Sequence, residues 1–115
     1  MVNISSYEFG SITIDGRSYH EDIIICWNGE VEEIRTKERH VFGLPELQKI
    51  MKKKPELIIV GKGASGLCKI SDKVREEVEE KNLKLIESVS REAMNKFNEA
   101  FRQGKKVSAF IHLTC

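Results

Sequence analysis

The chain is short of several things at once, and each shortage closes off a class of protein. Its three cysteines, Cys26, Cys68 and Cys115, are odd in number and widely spaced. That leaves neither a disulfide framework nor a zinc knuckle to staple the fold. Cys26, inside the apolar run Ile23–Trp27, reads as a small buried hydrophobe. No apolar run approaches the ~20 residues that cross a bilayer. No charge of one sign dominates: 19 basic against 18 acidic residues give a net charge of +1, which supplies no general pull toward nucleic acid or an anionic membrane. The first residues, Met1-Val-Asn-Ile-Ser, lack the basic and apolar parts of a signal peptide, so a cytoplasmic protein is expected. Also missing are a phosphate-loop Gly-Lys-Ser/Thr, a Ser–His–Asp arrangement, a catalytic carboxylate pair, internal repeats and low-complexity segments.

What is present suits one folded domain over residues 1–115. Hydrophobic residues make up 40% of the chain, enough for a real core. Charged residues make up 32%, with Lys and Glu far commoner than Gln. That is a thermophile-like composition.

The pattern along the chain predicts an α/β fold in three layers: a mixed central sheet with helices, and an N-terminal antiparallel β-meander. Phe9–Ile14 alternates as a strand into Asp15-Gly16, a two-residue hairpin signal. Asp22–Trp27 reads as a second strand, turning at Asn28-Gly29 into a solvated outer strand over Glu30–Arg35. Thr36–Gly43 reads as a charged connection. Leu44, Leu47, Ile50 and Met51 recur at helical spacing behind Pro45, and Pro55 closes that helix. Leu57–Val60 is a continuous apolar run, the mark of a strand covered on both faces. A helix is expected from Ser71 or Asp72 to about Lys81, a strand over Leu83–Glu87, and a helix capped by Ser90 running to Arg102 and stopped by Gly104. Val107–Thr114 is the last strand. Strand–helix–strand–helix–strand implies right-handed crossovers and parallel pairing at the sheet centre. The meander then either extends that sheet or packs on it.

The loop after Leu57–Val60 reads Gly61-Lys62-Gly63-Ala64-Ser65-Gly66, the letters of a dinucleotide fingerprint. Glu87 follows at about the right distance to meet a ribose. That fingerprint needs a helix to begin within the motif, whereas Leu67–Ile70 alternates and the first good cap is Ser71. No regular helix is therefore expected from Gly63 through Ile70. Two readings of the loop remain. Its amides, with Lys62 and Ser65, form an anion-binding nest at the carboxyl end of a strand, or the glycines serve only a tight turn.

His112 and Cys115 stand three apart on a strand, hence on opposite faces, and a chain end positions a nucleophile poorly. Ser108, Phe110, His112 and Thr114 share a face, which suits His112 to a hydrogen-bonded core or pocket-edge role. His20, Glu21 and Asp22 alternate faces and would need a bulge to act together. Arg39-His40 in the charged connection reads first as part of a solvated loop, and as a pocket edge in the alternative.

Four stretches in order, FGSITIDGRSYHEDIII, KPELIIVGKGASG, SREAMNKFNEAF and AFIHLTC, resemble a family of small α/β proteins of unknown function. The family occurs in archaea and bacteria. Its animal members include the mitochondrial complex I assembly factor three and the adipogenesis-associated Mth938-type domain protein. The resemblance implies a three-layer fold around a mixed sheet and no established reaction; the animal members look like assembly or regulatory partners. The matching positions are Gly61, Gly63, Ser65 and Gly66 of the loop and His112, Thr114 and Cys115 of the last strand.

The expectation is a non-catalytic module that binds a protein partner or a small anionic ligand through Gly61, Lys62, Gly63, Ser65, Gly66 and His112, without cofactor or metal. The alternative is an enzyme on a small anionic metabolite, with the loop as phosphate or oxyanion cradle and His112 as acid–base group. The last strand is expected to run parallel to Leu57–Val60, which would bring His112 and Lys62 or Ser65 into one pocket where loop and imidazole hold an anion together. Gly63→Val is expected to abolish anion binding with little loss of fold.

Overall fold

A computed structural model describes residues 2–115. The chain begins with β1 (Ile4–Glu8), β2 (Ser11–Ile14) and β3 (Arg17–Tyr19), an antiparallel meander that forms a small sheet of its own. Asp15 and Gly16 turn β2 into β3 with φ of +49° and +82°, the geometry a two-residue hairpin requires. The single strand expected over Phe9–Ile14 is instead the turn and second arm of a hairpin. Gly10, at φ +81°, reverses the chain there and leaves Phe9 exposed.

The next pair, β4 (Ile23–Ile25) and β5 (Val31–Glu33), leaves the meander and joins the central sheet. So the N-terminal strands divide between the two alternatives: one group packs on the sheet and the other extends it. The outer strand lies at the edge, as its charges require. The connection that follows is not wholly irregular. It contains β6 (Val41–Phe42), which runs parallel to β8 (Lys69–Ile70) in a two-stranded ribbon. Two residues cannot show a period, so only their long-range pairing makes them a strand.

Helix α1 (Leu44–Met51) carries Pro45 in its first turn, and the Glu46 carboxylate takes the Gly43 amide at 2.7 Å. Strand β7 (Leu57–Lys62) precedes the glycine loop. No helix starts in that loop: after β8 the chain enters α2 (Asp72–Glu80), capped by the Ser71 hydroxyl. Then come β9 (Lys84–Ser88), α3 (Ser90–Arg102) and β10 (Val107–His112). Ser90 does not cap α3. Val89 holds the cap position, and the Ser90 hydroxyl is used elsewhere.

The central sheet has the order β5-β4-β10-β7-β9. β10 runs parallel to β7 and antiparallel to β4, and β7 runs parallel to β9. β10 and β7 are interior strands, buried at every position but Lys62, which explains why their sequences are mostly apolar. On one face Ala109, Ile111 and Ile59 meet α3 and the small sheet. On the other Phe110, Ile58 and Val60 meet α1, α2 and the β6–β8 ribbon. Asn98 of α3 offers its amide to both backbone groups of Ile4, at 2.9 and 2.7 Å. It pairs with β1 as a neighbouring strand would.

Candidate functional site

Because β10 and β7 are parallel, their carboxyl ends meet, and His112 stands level with Lys62. Because β4 is antiparallel to β10, with Ile23 opposite Ile111, the residue before β4 lies at this same end. That residue is Asp22. It precedes the strand, so no bulge is needed to aim its carboxylate at His112. Asp22 Oδ2 lies 2.7 Å from His112 Nδ1, and Asp22 Oδ1 accepts the Leu113 amide at 2.9 Å. The carboxylate thereby fixes both the imidazole and the backbone next to it.

From the other side, the β6–β8 ribbon brings in His40. Its Nδ1 is 3.1 Å from His112 Nε2, and the rings meet nearly edge to face. Arg39 Nε donates to His40 Nε2 at 3.2 Å. His40 has φ +59°, a conformation that costs an L residue about 1–2 kcal/mol, and the strand beginning at Val41 holds it there. The Thr114 hydroxyl lies 3.3 Å from His112 Nε2.

His112 is only 5% exposed. It forms the floor of an open pocket of about 470 Å³ whose rim includes His20, Arg35, Thr36, Lys37 and Arg39. Three of these are permanent cations. The acidic groups present are partly spent, since Glu21 pairs with Arg35 and Asp22 with His112. Among the described residues, no group of three or more His, Cys, Asp or Glu side chains is placed to hold a metal ion.

The glycine loop lies at the same end of the sheet, but its amides are engaged. Ala64 N donates to the carbonyl of Thr114 at 2.8 Å; Ser65 N and Leu67 N reach the Cys115 oxygen at 3.3 and 2.9 Å. The loop closes on residues 114–115 of its own chain, and no residue of Gly61–Gly66 lines the pocket beside His112. Ser90 completes the clasp: its hydroxyl accepts the Gly63 amide and donates to the His112 carbonyl. Tyr7 donates to the Leu113 carbonyl at 2.8 Å, and burial pushes its phenol pKa up. Lys62 turns away from His112 to Glu87 at 3.1 Å, and Arg75 holds the second oxygen of that carboxylate at 2.7 Å. Glu87, which spacing offered as a ribose ligand, is thus part of an ion-pair network.

Of the residues singled out in the sequence, Gly61 and Lys62 end β7, Gly63, Ser65 and Gly66 belong to the loop that closes on residues 114–115, and His112 lies in a pocket that the loop does not line, so the shared pocket expected for them is corrected. Sequence reasoning passed over Asp22 as the partner of His112. The signal lay in the acidic residue just before a strand that pairs antiparallel with the histidine strand, and it becomes visible only once that pairing is known.

Fold and site together define a small α/β domain: a meander packed on a five-stranded mixed sheet, with a histidine–carboxylate pocket at the carboxyl edge of its central strands. The chain belongs to the family described as "Protein of unknown function (DUF498/DUF598)", which it matches over residues 4–112. Its structure is similar to that of the conserved hypothetical protein PH1505 from Pyrococcus horikoshii OT3, with a TM-score of 0.87 and 29% identity over 98% of this chain and 99% of that one. It is similar to MT938 at a TM-score of 0.85 and 30% identity over the whole of both chains. An outer membrane protein from Bartonella henselae shares the fold at a TM-score of 0.83 and 17% identity, covering 99% of this chain and 96% of that one. A search of curated proteins returns no match. The Mth938-type resemblance read from the sequence is to this family. Among the described residues, no helix is long and apolar enough to cross a membrane.

Proposed function

We propose that the protein is a non-catalytic binding module that holds a compact oxyanion, a phosphate or carboxylate group, in the pocket above His112. The observation that carries this reading is the rim: Lys37 and Arg39, with Arg35 already paired to Glu21, line a pocket of about 470 Å³ over a buried imidazole. Arg binds such groups with two parallel hydrogen bonds, and a concave site focuses the field of its cations. The glycine loop supports the ligand only indirectly, because it clasps the segment that carries His112. The family's animal members, which look like assembly or regulatory partners, agree with a module that binds and does not turn over.

The test is a titration of the ¹⁵N-labelled protein with sulfate, phosphate and acetate. Saturable shifts at Lys37, Arg39, His40 and His112, with Ala64–Leu67 unmoved, are the expected result. Shifts confined to the loop, or none that saturate, would refute the pocket.

The enzymatic alternative retains one specific support, the orientation of His112 by Asp22, which is how a carboxylate prepares an imidazole for proton transfer. Its other part, the loop as cradle, finds the Ala64, Ser65 and Leu67 amides already donating to the chain's own carbonyls.

A further inference from the structure

The hydrogen bonds around His112 run in one direction. Arg39 has only protons to give, so His40 Nε2, its partner at 3.2 Å, is an acceptor. A neutral His40 then carries its proton on Nδ1 and donates it to His112 Nε2, 3.1 Å away. His112 in turn carries its proton on Nδ1 and donates it to Asp22 at 2.7 Å. The chain Arg39→His40→His112→Asp22 is complete with one proton on each ring.

In this state neither imidazole has an N–H left for a ligand. His112 Nε2 spends its lone pair on His40, and His40 Nε2 presents its own toward Arg39. The outermost acceptor, His40 Nε2, has as its hydrogen-bond partner Arg39, an exposed side chain. An oxyanion entering the pocket competes for that same guanidinium. Once Arg39 turns to the anion, His40 Nε2 is uncovered beside a second acceptor, and two acceptors repel. Protonation of His40 removes the repulsion and turns the nitrogen into a charged donor. Histidine is the side chain suited to this, because its charge ordinarily changes between about pH 5 and 8.

The surrounding charges allow one added proton. Asp22 faces His112 from the start of β4. Lys62 stands level with His112 on β7 but is held by Glu87. Cys68, next to β8, stays a neutral thiol because burial pushes its pKa up to about 11. On the pocket side stand His20, Lys37 and the Arg35–Glu21 pair, whose cations the bound anion offsets.

We infer that the pocket takes up its oxyanion together with one proton, which the His40–His112 pair holds. The inference rests on the proposed oxyanion site and adds its coupling to pH.

Sulfate is the suitable probe, because it stays a dianion throughout the histidine range and so adds no proton of its own. Calorimetric titration at about pH 7 in buffers of differing ionisation heat counts the protons bound per sulfate. The expected count in the wild type is positive and no greater than one, with apparent affinity falling up to about tenfold per pH unit on the alkaline side. His40→Asn should bind sulfate more weakly with a count near zero; Asn is chosen because it tolerates positive φ. Sulfate binding in the wild type with no proton uptake and a flat pH profile would overturn the inference and leave the oxyanion site standing. Absence of sulfate binding at any pH would overturn both. Should His40→Asn not fold, the wild-type proton count and pH profile decide the matter alone.

Discussion

A Cβ placed on Gly63 would overlap the carbonyl oxygen of Thr114 and the carbonyl carbon of Cys115. Gly63 also has φ +96°, so its lack of a side chain serves two ends at once: a backbone shape that L residues resist, and the close approach of a second stretch of chain. The expectation that Gly63→Val would spare the fold is therefore corrected. Even Gly63→Ala should destabilise by about 3 kcal/mol, combining strain and overpacking. For a chain this size that lowers Tm by roughly 10–20 °C. Gly16→Ala is the control: its φ is +82° but nothing stands within 4 Å, so it should cost only about 1 kcal/mol. Equal losses in thermal melts of the two variants would refute the close-approach argument.

Ser90→Ala should be more damaging than an ordinary helix-start substitution. The hydroxyl joins the Gly63 amide to the His112 carbonyl, and Ser90 is fully buried. Removing it leaves a donor and an acceptor without partners, at a cost of about 2–4 kcal/mol. Ser71→Ala, which removes a true cap, should cost about 1 kcal/mol. Urea denaturation would rank the two, and the reverse order would show that the Ser90 bridge contributes little to stability.

Asp22→Asn should unsettle the tautomer of His112. The carboxylate accepts from Nδ1 and from the Leu113 amide. An Asn that rotates its NH₂ toward the ring would favour the proton on Nε2, against the donation from His40. Imidazole ¹⁵N shifts of the wild type at neutral pH should report a proton on His112 Nδ1, and those of the variant a mixture of tautomers. A wild-type proton on Nε2 would contradict the directed chain.

Acid should weaken the fold through Glu87. Hydrogen bonds from Arg75 first, and from Lys62, hold its carboxyl at about 2 against burial, which opposes them. A folded pKa below the unfolded one means stability that is present above about 4.5 and is lost as pH falls toward about 2. Glu87→Gln should flatten this part of the stability profile. An unchanged acid limb in the variant would show that the pair contributes nothing there.

The thiols should separate by reactivity. Burial first of all pushes Cys68 up to about 11, and burial likewise raises Cys26, while Cys115 is partly exposed. At about pH 8 a disulfide reagent should modify Cys115 in the native protein and all three cysteines after denaturation. Rapid native-state labelling of a Cys115→Ser variant would mean that the core around Cys68 opens.

Local chemistry made much of this fold legible in the residues. Leu57–Val60 is apolar on every position, and Val107–Leu113 on all but Ser108 and His112, because both of their faces are covered. Asp15-Gly16 turns because Gly, and next to it Asp, accept positive φ. Leu44–Met51 and Ser71–Glu80 show helical spacing behind Pro45 and Ser71. The failure of Leu67–Ile70 to look helical correctly kept a helix out of the glycine loop. These are properties of neighbours in sequence, and the sequence by itself determined them.

The sequence pointed to His112 and Arg39-His40, but their assembly with Asp22 was decided by the tertiary structure. His112 meets Asp22 across 90 positions and His40 across 72. The first meeting depends on the antiparallel register of β4 against β10, the second on a two-residue ribbon that has no pattern of its own. The loop reads as an anion nest as long as its amides look free, and only the fold brings the carbonyls of Thr114 and Cys115 to fill it. The reason is physical. Periodicity and turn chemistry act over a few residues, whereas a buried hydrogen bond takes its partner from whatever the packing of distant strands places within about 3 Å.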